Sequence, residues 1–400
     1  MALASDELPS PEKRLLVCCA RTTTEDSVRE QIRRLLRSPL DWDLLFLEAS
    51  NHAVTPLLCR QLSLMASDLL DPIRLARLKE AGRAFALRNL VLSAELVTIM
   101  DRFQSEGLQA IPYKGPVLAV QAYGDMALRE FEDLDIVLRQ HDMATANELM
   151  IGLGYRPKFP AILSAEAASV APGEYGYRDD SRHLMVELHT ERTLRHFPVP
   201  ADIDDLATRL VAVSVGGHDL KTFSPEDTFL LLCIHGSKHF WAQLSWIADL
   251  AAFAETYPQL DWDQVFRRAQ SMRANRMVSV SLALALRLFN LPHEIATRVG
   301  SDSVASSIAS RIEHRLLARS PRELGAIARF RLRRHMLERP WEGWRYSLRL
   351  ATQPSDDDWS TMPLPPRLAP LYRALRPLRL LSKYGATSSR GSMASKNASN

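Results

Sequence analysis

Residues Arg129–Leu138 read R-E-F-E-D-L-D-I-V-L, and this is the stretch of the chain that most demands a chemical explanation. The apolar run Ile136-Val137-Leu138 reads as a short strand, with Asp133 and Asp135 two apart on the approach to it. Side chains at i and i+2 of a strand share a face, so both carboxylates leave the lip of a sheet in the same direction. Two carboxylates so close raise each other's pKa unless a cation sits between them. Mg²⁺ suits the pair, because it prefers hard oxygen ligands and keeps positions open for phosphate oxygens. Taken alone, a D-x-D of this kind is more often a solvated turn, so its context decides.

Upstream, Ile111–Asp125 reads I-P-Y-K-G-P-V-L-A-V-Q-A-Y-G-D. Ala110–Tyr113 can form a strand, Lys114-Gly115 a tight turn, and Pro116 stands where a helix over Val117–Tyr123 would begin. A strand that turns at glycine into a helix offers backbone N–H groups and the positive helix end to an anion. Lys114 adds a point charge at the same spot. Downstream, Leu184–Thr190 reads L-M-V-E-L-H-T, with the alternation of a strand, so Glu187 and His189 fall on one face. Glu187 is the candidate for a third carboxylate, completing a site that holds metal across a phosphoryl group.

Strand, glycine turn, helix and a second strand bearing D-x-D together resemble the nucleotidyltransferases related to DNA polymerase β. More closely, the chain resembles a family of uncharacterised bacterial nucleotidyltransferases typed by a K-G…Y-G-D…R-x-x-x-D-x-D segment. Here that segment is Lys114-Gly115, Tyr123-Gly124-Asp125 and Arg129 through Asp135. The family's V-E-L-H strand matches Val186–His189, and its H-G-x-K-H-x-W-x-x-L-x-W-I-x-D-L helix matches His235–Leu250. The likeness runs from about Ser27 to Tyr384. Two positions depart from the polymerase-β-like pattern: Gly115-Pro116 stands in place of Gly-Ser, and Glu187 in place of the commoner Asp.

The resemblance implies an α+β fold, a polymerase-β-like core with a small mixed sheet, flanked by N-terminal and C-terminal helical regions. It implies transfer of NMP from an NTP, with ATP the commonest donor, to a hydroxyl-bearing acceptor. Asp133, Asp135 and Glu187 would hold Mg²⁺ or Mn²⁺, and His189 would serve as base or acceptor ligand. Lys114, Gly115, Arg129 and Lys238 would meet phosphate, with His235 and His239 nearby. The acceptor could be a small molecule, a saccharide precursor, a peptide or a tRNA end. The alternative is a nucleotide-sensing or peptide-binding accessory protein with the same fold and little turnover.

The rest of the chain sets bounds. With 46% apolar and 24% charged residues, its 400 residues have ordinary globular composition, enough for two or three packed units. A net charge of +3 is too mild to argue for nucleic acid as a partner. Cys18, Cys19, Cys59 and Cys233 lack C-x-x-C spacing, which disfavours disulfide frameworks and zinc sites. With no apolar run of bilayer length and no signal-like start, a soluble, cytoplasmic protein is expected.

The expected organisation is a tail over 1–24, to which no element is assigned, and a helical region over 25–106. The chemistry-bearing core then spans 107–223, a second helical region 224–385, and a disordered tail 386–400. Leucine stripes such as Leu35, Leu36, Leu40, Leu44, Leu45 and Leu47 read as helix faces packed into a core. Ala171–Asp180 reads as a loop. Ser224-Pro225-Glu226-Asp227 has the cap, proline and acids of a helix start. In His235–Asp249, helical spacing puts His235, Lys238, His239, Gln243 and Trp246 on one face. Arg311–Arg349 is arginine-rich and reads as amphipathic helices with a basic outer face, or else as a landing site for an acidic partner.

Overall fold

The computed structural model describes residues 9–159, 173–190, 202–289, 302–318 and 325–380, except 355 and 363, together with 291 and 295. The expected tail 386–400, the beginning of the 1–24 segment, and Arg319 and Arg322 lie outside these residues.

Helices come first. Ser10-Pro11-Glu12 starts α1 (Pro11–Cys19), with the Ser10 hydroxyl accepting the Lys13 N–H. This is the same device as Ser224-Pro225-Glu226, and it builds a helix in a segment to which the sequence reading gave none. Then follow α2 (Asp26–Leu36), α3 (Trp42–Asn51), α4 (Thr55–Met65) and the long α5 (Pro72–Ser105).

The central part is a mixed α+β unit: β1 (Ile111–Pro112), α6 (Gly115–Tyr123), β2 (Asp133–Val137), α7 (Met143–Gly152), β3 (Arg156–Pro157), β4 (Glu174–Asp179), β5 (Leu184–His189), α8 (Ile203–Ala207) and the hairpin β6 (Val211–Val215) and β7 (His218–Thr222). The sheet order is β1-β2-β5-β4-β3, with β2 and β5 parallel and the other pairs antiparallel. Glu174–Asp179 is therefore a strand, not the loop expected over Ala171–Asp180. Its Tyr175 and Tyr177 are buried on the face opposite Glu174, the alternation that glycines and charges had masked. The hairpin turns at Gly216-Gly217, both at positive φ, as a two-residue turn of this twist requires. Thr222 donates from its hydroxyl to the Pro112 carbonyl at 2.8 Å, tying the hairpin to β1.

The sheet is two-faced. Leu134, Ile136, Tyr175, Tyr177, Val186 and Leu188 pack with Leu92, Leu96, Ile99 and Phe103 of α5 in one apolar cluster. The opposite face carries the charged side chains. A larger cluster joins α1–α4 to the later helices, Leu15, Leu45 and Leu58 sharing it with Phe229, Ile247, Phe253 and Leu284. Those later helices are α9 (Pro225–Lys238), α10 (Leu244–Thr256), α11 (Trp262–Ser271), α12 (Asn275–Phe289), α13 (Ser303–Leu317), α14 (Ala326–Met336), α15 (Pro340–Thr352) and α16 (Asp356–Thr361). No described helix is long and apolar enough to cross a membrane.

The helix expected without a break over His235–Leu250 is interrupted. α9 ends at Lys238 and α10 starts at Leu244, with Phe240 and Trp241 at φ 58° and 44° between them. The turn lets Trp241 bury completely, its indole lying against Gly236 one turn back. Arg315 donates to the Phe240 carbonyl at 2.8 Å, and Arg333 stacks over the Phe240 ring, so two of the arginines in the basic segment brace this turn.

A methyl group at Gly236 would collide with the Trp241 indole, which cannot swing into solvent from a fully buried position. Gly236→Ala is expected to lower stability by roughly 1–3 kcal/mol, the usual range for overpacking. Chemical denaturation of the two proteins measures it, and equal midpoints would show that the indole yields freely.

Candidate active site

The site starts from a strained turn. After β1 the chain turns at Lys114, φ 43°, and Gly115, φ 45°, before Pro116 opens α6. A lysine at positive φ costs on the order of 1–3 kcal/mol and persists only where its surroundings hold it. Gly115 is favoured by that positive φ rather than by crowding, since a Cβ there would meet the Asp133 carbonyl at 3.4 Å, an ordinary contact. The strain delivers the Lys114 ammonium to Asp135 Oδ1 at 3.0 Å, with both side chains nearly buried.

Parallel pairing supplies the rest. The β2–β5 register sets Asp135 beside Glu187 and Val137 beside His189. His189 Nε2 lies 2.8 Å from Asp135 Oδ1 and 3.6 Å from Glu187 Oε2. Ligand atoms of Asp135, Glu187 and His189 all fall within 4.8 Å of one another, a spacing that can hold a metal ion. Asp133, two residues from Asp135 on the same strand, lines the same cavity of about 480 Å³. On the other side of β5, Glu174 pairs in register with His189 and adds a fourth carboxylate. Sequence reading missed Glu174 by treating its strand as a loop; the alternation Glu174, Tyr175, Gly176, Tyr177 was the available signal.

Electrostatics divides these acids. Burial works to raise Asp135, but Lys114 and His189 outweigh it and hold the carboxyl far below the usual range. Burial likewise opposes ionisation of Glu174, and Lys238 and His189 bring it down to about 2. Asp133 is raised by burial and by the Asp135 charge. Glu187 is pushed up to about 7 by burial and by the charge of Glu174. For these two acids burial and neighbouring carboxylates outweigh the positive groups within reach, while hard oxygens and an imidazole crowd one face. That donor set fits a divalent cation such as Mg²⁺ or Mn²⁺.

The opposite wall comes from α9 and α10. His235, Lys238, His239, Gln243 and Trp246 all line the cavity although the helix bearing them is broken. Lys238 Nζ reaches across to Glu174 Oε2 at 3.1 Å. Burial pushes His235 well down and His239 to about 4, assisted by the Lys114 and Lys238 charges, so both rings are neutral at pH 7.

Arg129, expected to contact phosphate, is engaged elsewhere while still bordering the cavity. Its guanidinium spans both oxygens of Asp249 at 3.1 Å, and the Tyr123 hydroxyl donates to Asp249 Oδ1 at 2.8 Å. Asp249 is 1% exposed, so the Y-G-D and R-x-x-x-D-x-D motifs meet the end of the H-G-x-K-H motif in one buried network. Asp125 instead caps a short turn, accepting the Ala127 N–H.

Residues 38–290, more than half of the chain, match a family described as uncharacterised nucleotidyltransferase, and the chain belongs to that family. Among solved structures, it is similar to an antigenic nucleotidyltransferase-like protein from Paracoccidioides brasiliensis. That match has 14% identity and a TM-score of 0.34, covering 53% of this chain and 91% of the other. No curated protein matches the chain.

The Arg129–Asp249 pair is buried, so removing one charge strands the other. Asp249→Asn is expected to cost roughly 3–5 kcal/mol, the range for breaking a buried pair. Thermal melts measure it; an unshifted melting temperature would mean that the network does not brace the site.

Proposed function

We propose that the protein is a metal-dependent nucleotidyltransferase with a polymerase-β-like core, moving NMP from an NTP to a hydroxyl-bearing acceptor and releasing pyrophosphate. The observation that carries this reading is the parallel β2–β5 register, which gathers Asp135, Glu187 and His189 beside Asp133 and the start of α6. In this reading residues 107–223 are the core and the helices of 25–106 and 224–385 frame it.

Asp133, Asp135 and Glu187 would hold Mg²⁺ or Mn²⁺. Held there, such an ion would neutralise triphosphate charge and lower the pKa of the attacking hydroxyl. The chain's own groups do the remainder. Backbone N–H groups at the Gly115 turn, aided by the positive end of α6, receive phosphate oxygens. Lys114 and Lys238 exchange their carboxylate partners for phosphate when the nucleotide arrives. His189 stands next to Glu187 and can accept a proton from the acceptor hydroxyl or orient it. Arg129 fixes the wall against α10 and adds positive charge at the rim.

A second reading has two observations in its favour. Lys114, Lys238 and Arg129 are all paired with carboxylates, and Pro116 takes the place of a hydroxyl-bearing residue in the turn. That arrangement would suit a nucleotide sensor with little turnover. Incubation with labelled ATP, with and without a chelator, separates the readings: label in a product that the chelator suppresses supports transfer, and binding with no product supports sensing.

Asp133→Asn and Asp135→Asn are each expected to abolish Mg²⁺-dependent transfer, with the fold checked by circular dichroism. Retained turnover in either variant would remove that residue from the metal site. Glu187→Gln should lower turnover far more than nucleotide affinity, and a loss confined to affinity would take it off the acceptor side. Lys238→Ala should raise the apparent NTP constant by about 1.5–3 kcal/mol, as expected for a charge-assisted contact. If Lys238→Ala melts early yet gains its full nucleotide shift, Lys238 is structural.

A further inference from the structure

The cavity is chemically polarised. Its strand-borne side holds the carboxylates and Lys114, while its helix-borne side presents, next to Lys238, three rings: His235, His239 and Trp246. The His235–His239 and His239–Trp246 centroids lie 4.7 and 5.2 Å apart, and His235 meets Trp246 edge-on at 5.4 Å. These rings meet because of the strained turn. His239 is the cap residue just after α9 and Trp246 lies in the first turn of α10, with Phe240 and Trp241 at positive φ between them. Backbone strain of this kind gathers at ligand clamps. Core packing takes Trp241, which is fully buried, and leaves Trp246 partly open to the cavity. Gln243, just before α10, lines the same wall and makes no capping bond with its side chain.

A nucleotide is polarised in the same way, polyanionic at one end and a neutral planar heterocycle at the other. The rings are tilted to one another, so one of them can lie flat against a planar ligand while the others meet its edge, and we propose that the nucleotide's aromatic base stacks on Trp246, with His235, His239 and the Gln243 amide at its edge. This rests on the reading that the cavity takes an NTP, and it assigns the half of the ligand that the carboxylates and lysines do not. Neutral imidazoles carry one donor and one acceptor each, and an amide carries both. The wall can therefore bond the base's edge as well as its face. Lys238, on the same helix turn as the two histidines, would stand where triphosphate gives way to base.

The test uses the full chain with Mg²⁺ and three ligands in calorimetry: ATP, ribose 5-triphosphate and inorganic tripolyphosphate. Stacking on an aromatic side chain contributes roughly 5- to 150-fold per base. Wild type should therefore bind ATP at least about fivefold more tightly than ribose 5-triphosphate. Trp246→Leu, which keeps the bulk without the ring, should bring ATP down to the level of ribose 5-triphosphate and leave the latter unchanged. Trp246→Phe should keep the preference. Equal affinities of the two ligands for wild type would overturn the base site, as would a Trp246→Leu loss shared equally by both. The wild-type comparison decides even if the leucine variant melts early. Tripolyphosphate separates the two levels of the argument. If it binds and the base adds nothing, only the stacking face fails; if neither it nor ATP binds, the nucleotidyltransferase reading fails too.

Discussion

Asp133, Asp135, Glu187 and Glu174 come from three neighbouring strands and repel one another, and the surrounding structure is organised around that repulsion. Lys114 answers it from the turn that follows β1, at the expense of a left-handed backbone. Lys238 answers from across the cavity, at the last position of a helix that stops there because the next residues turn. His189 answers from the same strand as Glu187. With one face of the sheet given over to charge, the apolar side chains of all three strands are committed to the other, where α5 covers them.

The compensation is incomplete. Lys114, Lys238 and Arg129 each have a carboxylate, but Asp133 and Glu187 have no full partner, and both are driven toward the protonated form. Such local conflict is what active sites retain while the rest of a sequence resolves it. The missing charge is of the size and hardness that a divalent ion brings. In the proposed reading nucleotide and metal would enter together, because a triphosphate alone would add negative charge to an already acidic cavity.

What could be read from the sequence was local. The two-residue period put Asp133 with Asp135 and Glu187 with His189, and the glycine turn before Pro116 could be placed because proline and glycine have narrow conformational uses. Ser224 announced a helix by its cap, and Ser10 carried the same signal unread. β4 was obscured because Gly173, Gly176 and charged neighbours have the composition of a loop, although its tyrosines alternate as a strand's do. Helical spacing between His235 and Trp246 grouped the correct side chains for the wrong reason, since the turn at Phe240-Trp241 depends on Gly236 and on arginines far along the chain. Pairings such as Arg129 with Asp249, 120 positions apart, leave no local trace. Conformation is set by neighbours in the chain, and partnership by the packing of distant elements.

The first helices share their core with the last, and this shapes how the protein is made. Lys13 donates to the carbonyls of Leu316 and Ala318, about 300 positions later, and Arg21 to those of Leu288 and Phe289. On a ribosome adding ~5–20 residues per second, the apolar faces of α1–α4 would wait on the order of ten seconds to a minute for their partners. During that interval these leucine-rich helices have only one another and α5 to cover them. Its yield in a cell should then depend on chaperone supply more than its final stability would suggest, and slowing translation would prolong the exposure.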